Sequence, residues 1–139
     1  MASLEQRIRE LIAQPQLAGF ATINDGKPWV RYVMIRGSED MDIRFASFVD
    51  ARKVQQIAAN PEVHLTCGVT DPTAMTPYLQ IQGRARFSTD AVERHGFWND
   101  KLKPIFSGPD DPKYGVVIVT PYRIEFCSPG VYEPEVWEK

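Results

Sequence analysis

Apolar residues recur along this chain with two different periods. From Leu4 the spacing is helical. Leu4, Ile8, Leu11 and Ile12 share one stripe, Ser3 is placed to cap it with Gln6 as reciprocal partner, and Pro15 stops it. From Leu17 onward the spacing is that of strands. Leu17 to Asn24 is rich in β-formers, Asp25-Gly26 is a hairpin turn, and Trp29 to Arg36 returns as a second strand. After Gly37-Ser38-Glu39-Asp40 a third strand runs from about Met41 to Ser47. Ala51 to Asn60 then reads as a short amphipathic helix with Asp50 as N-cap, Val54, Ile57 and Ala58 on its apolar face, and Asn60-Pro61 as stop. Val63, Leu65 and Cys67 alternate with His64, Thr66 and Gly68 in a fourth strand reaching Val69, which Asp71-Pro72 breaks. Pro77 to Phe87 is a longer strand in which Gly83 marks a bulge or a close backbone approach. Thr89-Asp90 caps a helix carrying Val92, His95, Phe97, Trp98 and Leu102. The last strand, Gly115 to Cys127, contains Pro121, the mark of a bulge, an edge position or a break.

Sequential short strands, tight turns and few helices predict a mainly β (α+β) antiparallel barrel with flanking helices. Neither an internal repeat nor a linker divides the chain, so residues 1–139 are expected to form one domain. The tail from Ser128, with two prolines and Glu133, Glu135 and Glu138, is expected to be a loose surface strap.

Composition narrows the function classes. With 139 residues, 43% of them hydrophobic, the chain can bury a real core. A net charge of −2 gives no global pull toward nucleic acid or an anionic membrane, so neither is expected as a partner. No signal segment and no membrane-spanning apolar run is apparent, and cytoplasmic residence is the expectation. Cys67 and Cys127 lack metal-ligand spacing and read as two small thiols; no metal site is expected. His64 and His95 sit on different elements with no acid–base grammar around them and read as structural or surface histidines. Ser-His-Asp order, a P-loop and Gly-x-Gly-x-x-Gly are all missing, which removes acyl transfer, nucleotide hydrolysis and Rossmann-type binding from consideration.

What remains is local charge. Arg52 and Lys53 fall in the first turn of the predicted Ala51–Asn60 helix, beside free N–H groups and the positive end of the helix dipole. Cations there cost about 0.3–1 kcal/mol each at an exposed end, and a bound anion reverses the sign. A second cluster, Arg31-Tyr32-Val33-Met34-Ile35-Arg36, precedes them. Strand alternation places Arg31, Val33 and Ile35 on one face and Tyr32, Met34 and Arg36 on the other. Arg31 is thus the better phosphate candidate, since its guanidinium can take two oxygens at once, while Arg36 can be a solvated charge.

Taken together, Arg31-x-Val33-Met34-Ile35-Arg36, then Phe45-x-Ser47 ending a strand, then Arg52-Lys53 opening a helix, resembles the pyridoxamine 5′-phosphate oxidase-like flavoproteins with the FMN-binding split-barrel fold. The resemblance runs from about Leu17 to Phe126, including Asn60-Pro61-x-Val63 and Gly83-Arg84-Ala85. It looks closest to the general-stress-protein branch, through Phe97-Trp98-Asn99-Asp100 and the loop Gly108 to Pro112.

The resemblance implies FMN as cofactor, with Arg31, Arg52 and Lys53 on its phosphate. FMN is favoured over FAD because a terminal phosphate can take charge from all three cations. Tyr32, Val33, Met34 and Arg36 would run beside the isoalloxazine ring. Ala46 and Ser47 match the family's Tyr-Thr pair, and Tyr78 falls where the vitamin-metabolising enzymes place a flavin-contacting glutamine. Ala51 stands in place of the usual Ser or Thr, dropping one phosphate donor. The C-terminal end lacks the Trp and Arg residues with which the vitamin oxidases bind flavin and substrate, so pyridoxal phosphate synthesis is disfavoured. Trp98 is either a wall against the flavin or a core aromatic of its helix. A homodimer with the site between subunits is implied.

The leading expectation is an FMN-dependent oxidoreductase taking electrons from a nicotinamide cofactor or another small redox partner. The alternatives are a non-catalytic flavin carrier or redox sensor, a split barrel holding a deazaflavin or haem, and a ligand-free barrel whose basic clusters are merely solvated.

Overall fold

In the computed structural model, which describes all 139 residues, the predicted periodicities become three helices and seven strands. In chain order these are α1 (Leu4–Ala13), β1 (Gln16–Asn24), β2 (Lys27–Gly37), β3 (Ile43–Phe48), α2 (Arg52–Ala59), β4 (Glu62–Cys67), β5 (Tyr78–Ser88), α3 (Ala91–Phe97), β6 (Tyr114–Cys127) and β7 (Glu135–Glu138). A short 3-10 turn, Asp100–Leu102, follows α3. The strands lie in the order β3-β2-β1-β4-β5-β6-β7, all antiparallel neighbours, and β3 also pairs with β6. Six strands therefore close into a split barrel, and β7 adds to the outside of β6.

The closure is uneven where it matters. β1 and β2 are paired along nine residues, from Gln16↔Ile35 to Asn24↔Lys27. β2 and β3, by contrast, meet only at Arg36↔Arg44 and Gly37↔Ile43. Beyond that contact the two strands separate. An antiparallel strand bonded on one side leaves alternate N–H and C=O groups pointing the other way. The stretch Val30 to Ile35 thus presents an open backbone edge.

β6 explains two sequence signals at once. Its first part, Tyr114 to Val119, pairs with β3, and its second, from Arg123, pairs with β7, while β5 runs along its other side. The switch sits at Pro121, opposite Gly83, where the β5–β6 register shifts between Gln82 and Gly83. Proline has no N–H for the ladder, and a Cβ on Gly83 would lie 2.9 Å from the Thr120 carbonyl oxygen. Bulge and close approach are one feature.

Two cores result. The barrel interior holds Phe20 and Phe45 edge to face, with ring centroids 4.8 Å apart, among Ile35, Ile43, Leu65, Ile81 and Ile124. Ile8 and Ile12 of α1 close one end against Gly37, and Ile57 of α2 enters from another side. The smaller core, Phe97, Phe106, Tyr114, Val116 and Ile118, lies under α3. β6 serves both, which is why Val116 to Val119 is an unbroken buried run.

Local expectations hold in part. The Ser3/Gln6 capping box forms in full. The cap of α2 is Ala51 and not Asp50, and no side chain bonds into its first turn. The third strand begins at Ile43, because Met41 is held in a left-handed turn at φ 72° in the 38–42 loop. The fourth ends at Cys67, where Gly68 at φ 113° turns the chain against Pro77. α3 stops at Phe97, and Leu102 belongs to the separate turn. The tail is not loose. It forms β7, pinned by the Arg7–Glu135 pair at 2.7 Å, by Trp137 Nε1 donating to Glu5, and by the Arg123–Glu138 pair. Glu135 and Glu138 are pairing partners, which composition alone does not show.

Candidate functional site

The start of α2 is left electrically open. The Ala51 side chain cannot cap, and no acidic residue stands in the first turn. Arg52 and Lys53 add full charges to these unsatisfied backbone donors. Arg31 reaches the same end of the barrel from β2. Its Nη1 donates to Thr22 Oγ1 at 2.8 Å and to the Phe20 and Trp29 carbonyls, and its Nη2 donates to Gln56 Oε1 at 2.9 Å. Thr22 in turn donates its hydroxyl to Gln56 Oε1. Every partner of Arg31 is neutral.

None of these three cations forms an ion pair, although ten such pairs exist elsewhere. The electrostatic strain registers in both half-buried members. Burial, and then the charge of Arg52, lowers the Arg31 pKa. Burial, and then the charge of Arg31, lowers that of Lys53. An incoming anion relieves both. Thr22 and Gln56 occupy the end-on edge of the Arg31 guanidinium, whose five donors form a planar fork. Its Nε remains without an acceptor, so the side-on edge is the part left for a ligand.

Thr22 and Gln56 are not singled out by any motif. Two weak signals mark them: a threonine on the inward face of β1, buried to 1% exposure, and a glutamine four residues after Arg52 on one helix face.

On the outer face of β1, β2 and β4 lies an open groove of about 690 Å³, lined by Leu17, Gly19, Val30, Arg31, Tyr32, Thr66, Val69 and Tyr78, with Cys67 among its flanking residues. Tyr32 is 82% exposed and Met34 53% exposed on this face. Gly19 stands between Tyr32 and Thr66 in the register and leaves the floor flat. The groove therefore unites Tyr32 and Tyr78 from the sequence-based set with the backbone of Arg31, whose side chain turns to the other face toward Thr22 and Gln56, and Met34 lies two residues along from Tyr32.

The other candidates go elsewhere. Val33 points into the barrel core, and only its backbone can serve a ligand. Arg36 lies 5.0 Å over the Phe97 ring, at the smaller core, away from Arg31. Ala46 packs against that smaller core, while Ser47 is buried and donates to the Phe48 carbonyl. Trp98 stands edge to face with Tyr114 at 5.6 Å, as a partly buried core aromatic.

A family model described as pyridoxamine 5′-phosphate oxidase matches residues 4–128. The chain belongs to the pyridoxamine 5′-phosphate oxidase family. General stress protein 26 of Bacillus subtilis (strain 168) is 25% identical over 131 residues, covering 94% of this chain and 93% of that protein. The crystal structure of General Stress Protein 26 from Bacillus anthracis str. Sterne matches with a TM-score of 0.84 at 25% identity, covering 98% of each chain. A pyridoxine/pyridoxamine 5′-phosphate oxidase of Actinobacillus pleuropneumoniae serotype 3 (strain JL03) is 26% identical over 153 residues, covering 88% of this chain and 72% of that protein. The Bacillus subtilis and Bacillus anthracis relatives, each 25% identical over nearly the full length, are both general stress proteins, which supports that branch of the family.

Most other reactive groups of this chain are paired or buried. Arg123 is bound to Glu125 at 2.8 Å and to Glu138 at 2.7 Å. His95 pairs with Asp110 at 2.7 Å on the surface. Burial lowers the pKa of His64, which leaves it neutral near pH 7. Burial pushes the Cys67 thiol up to about 12, whereas Cys127 is only partly covered. Titration with an aromatic disulfide reagent should find Cys127 reactive and Cys67 silent until the protein is unfolded. A native Cys127→Ser protein that still reacts at the same rate would contradict this burial order.

Proposed function

We propose that this chain binds FMN and acts as a flavin-dependent oxidoreductase of the general stress type. One observation carries the reading: three cations with no carboxylate partner converge on an uncapped helix start. The residues fit the group. Arg52, Lys53 and the side-on edge of Arg31 would take the phosphate, and the open backbone edge of β2 would meet polar atoms of the ring. Tyr32, Met34 and Tyr78 would supply the apolar surroundings. Bound there, FMN would supply hydride or electron transfer between a reduced nicotinamide or other small donor and an acceptor. The protein's share is to anchor, orient and exclude water.

The exposed side chains Leu17, Val30, Tyr32 and Met34 form a continuous outer face on β1 and β2, and Val30 is 71% exposed. Burial against a second copy of the chain would remove this apolar surface from water, in keeping with a homodimer.

A non-catalytic flavin carrier or redox sensor is the second reading. It is favoured by the groove lining, which holds no carboxylate and no imidazole. Its exposed ionisable side chains are Tyr32 and Tyr78, and the Tyr78 pKa is raised by the neighbouring Cys127 thiol. Steady-state oxidation of a reduced nicotinamide with a dye acceptor separates the two readings. Turnover no faster than that of free FMN would leave the carrier.

The binding itself is tested by the absorption spectrum of gently purified protein and mass spectrometry of any released ligand. A colourless protein that takes up no added FMN would remove the proposal. The affinity should also depend on pH with a definite sign. The Lys53 pKa is lowered in the free protein, and its charged form binds phosphate. FMN affinity therefore falls as pH rises through the lowered Lys53 value. Lys53→Met should flatten that part of the titration; an unchanged profile would take Lys53 off the phosphate.

A further inference from the structure

Where this chain holds an arginine by another side chain, it generally uses a glutamate. Glu135 holds Arg7, Glu93 holds Arg44, Glu62 holds Arg84, and Glu125 and Glu138 hold Arg123. Arg31 is the exception. Four acceptors fix its guanidinium, yet its two side-chain partners are an amide and a hydroxyl, Gln56 Oε1 at 2.9 Å and Thr22 Oγ1 at 2.8 Å. Gln56 stands one turn after Arg52 on α2, so the side chain that grips Arg31 also ties β2 to the helix that carries the other two cations.

The amide has one orientation open to it. A guanidinium offers only donors, and the Thr22 hydroxyl, whose oxygen accepts from Arg31, gives its proton to the same Gln56 oxygen. Turning the carboxamide over would set its NH2 group against the guanidinium. Thr22 is buried, so the hydroxyl that completes this ring of bonds is shielded from water. Glutamate is the isostere of glutamine. It would accept the same two bonds and also neutralise Arg31, whereas glutamine accepts them and leaves the charge whole. That choice is unfavourable in the free protein. Burial, and then the neighbouring cations, lower the pKa values of Arg31 and Lys53. A residue suited to stability alone would be the acid.

Resting on the FMN reading, we propose that Gln56 is a positioning residue that sets the preference of the site for a phosphate-bearing flavin over its phosphate-free form. It fixes the end-on edge of Arg31, turns the side-on edge to the ligand, and leaves the full positive charge to be met by the anion. Thr22 completes the clamp by fixing the amide. The selectivity lies in the neutrality of the clamp, because a carboxylate at position 56 would satisfy Arg31 before any ligand arrived.

Calorimetric titration of the full chain with FMN and with riboflavin tests it, on the wild type, Gln56→Glu and Gln56→Met. Gln56→Glu is expected to weaken FMN by at least about tenfold and to leave riboflavin within about twofold. The same change should raise the melting temperature of the free protein, because the carboxylate that bars the phosphate compensates the cations. Gln56→Met keeps the side-chain length and drops the acceptor. It should lose at least about threefold in FMN affinity and again spare riboflavin. Unchanged FMN affinity in either variant overturns the positioning role and leaves the FMN reading standing. An equal loss of FMN and riboflavin also overturns it, because Gln56 would then only shape the fold. Binding of neither flavin to the folded wild-type chain overturns the underlying reading together with this one.

Discussion

Lys53→Ala is expected to weaken FMN binding by about 1.5–3 kcal/mol, the usual worth of a hydrogen bond to a charged group. That is roughly one to two orders of magnitude in Kd. Arg52→Ala should fall at the lower end, because Arg52 is exposed and water screens it, whereas Lys53 is half-buried. Arg31→Ala should do more harm of a different kind. It empties the partners of Thr22 and Gln56 as well as removing charge, so part of its effect will appear as lost stability. The discriminating control is riboflavin, which has the same ring and no phosphate. Its affinity should hardly change in Lys53→Ala or Arg52→Ala. Equal weakening of both ligands would show that these cations shape the site without touching a phosphate. Both variants should fold normally and gain slightly in stability when no ligand is bound, since each removes an uncompensated cation from the positive end of α2. A site that costs the empty protein stability is what a ligand-binding role predicts.

How much of this was readable in the chain differs by element. The Arg52-Lys53 signal needs only the helix boundary, and the boundary follows from local periodicity. The cap lies one position beyond Asp50, at Ala51, and this strengthens the site, because no carboxylate caps the helix start. Arg31 and Arg36 were separated by strand parity, and the structure indeed sends one beneath α2 and the other over Phe97. The neutral clamp of Thr22 and Gln56 could not be read. It joins β1, β2 and α2, and such contacts depend on how the barrel closes, which local pattern does not report. The β2–β3 separation is similar. Both strands are well formed sequences, and only the sheet order shows that they part after two residue pairs. The order of the tail is hidden in the sequence for the same reason, because Glu135 and Glu138 find their arginines on α1 and β6, far away in sequence.

Phe45→Ala should cost about 3–5 kcal/mol in a denaturant titration, among the largest effects of any single change in this chain. Phe45 is fully buried on β3, the strand that closes the barrel by pairing with β6, and its ring stands edge to face with Phe20 on β1. Truncation removes the transfer free energy of a whole ring and leaves a void in the packed interior, where the β3–β6 ladder limits collapse. For a small domain held by about 5–15 kcal/mol in total, this is a large share of the stability. Tyr32→Ala supplies the opposite case. Its ring is almost wholly exposed on the barrel's outer face, so the folded monomer loses little, while ring binding and self-association should both suffer. The two variants together separate the interior that makes the barrel from the outer face that uses it. A Tyr32→Ala protein that unfolds as readily as Phe45→Ala would mean that the outer face is itself part of the core, buried in an assembly without which the chain does not stay folded.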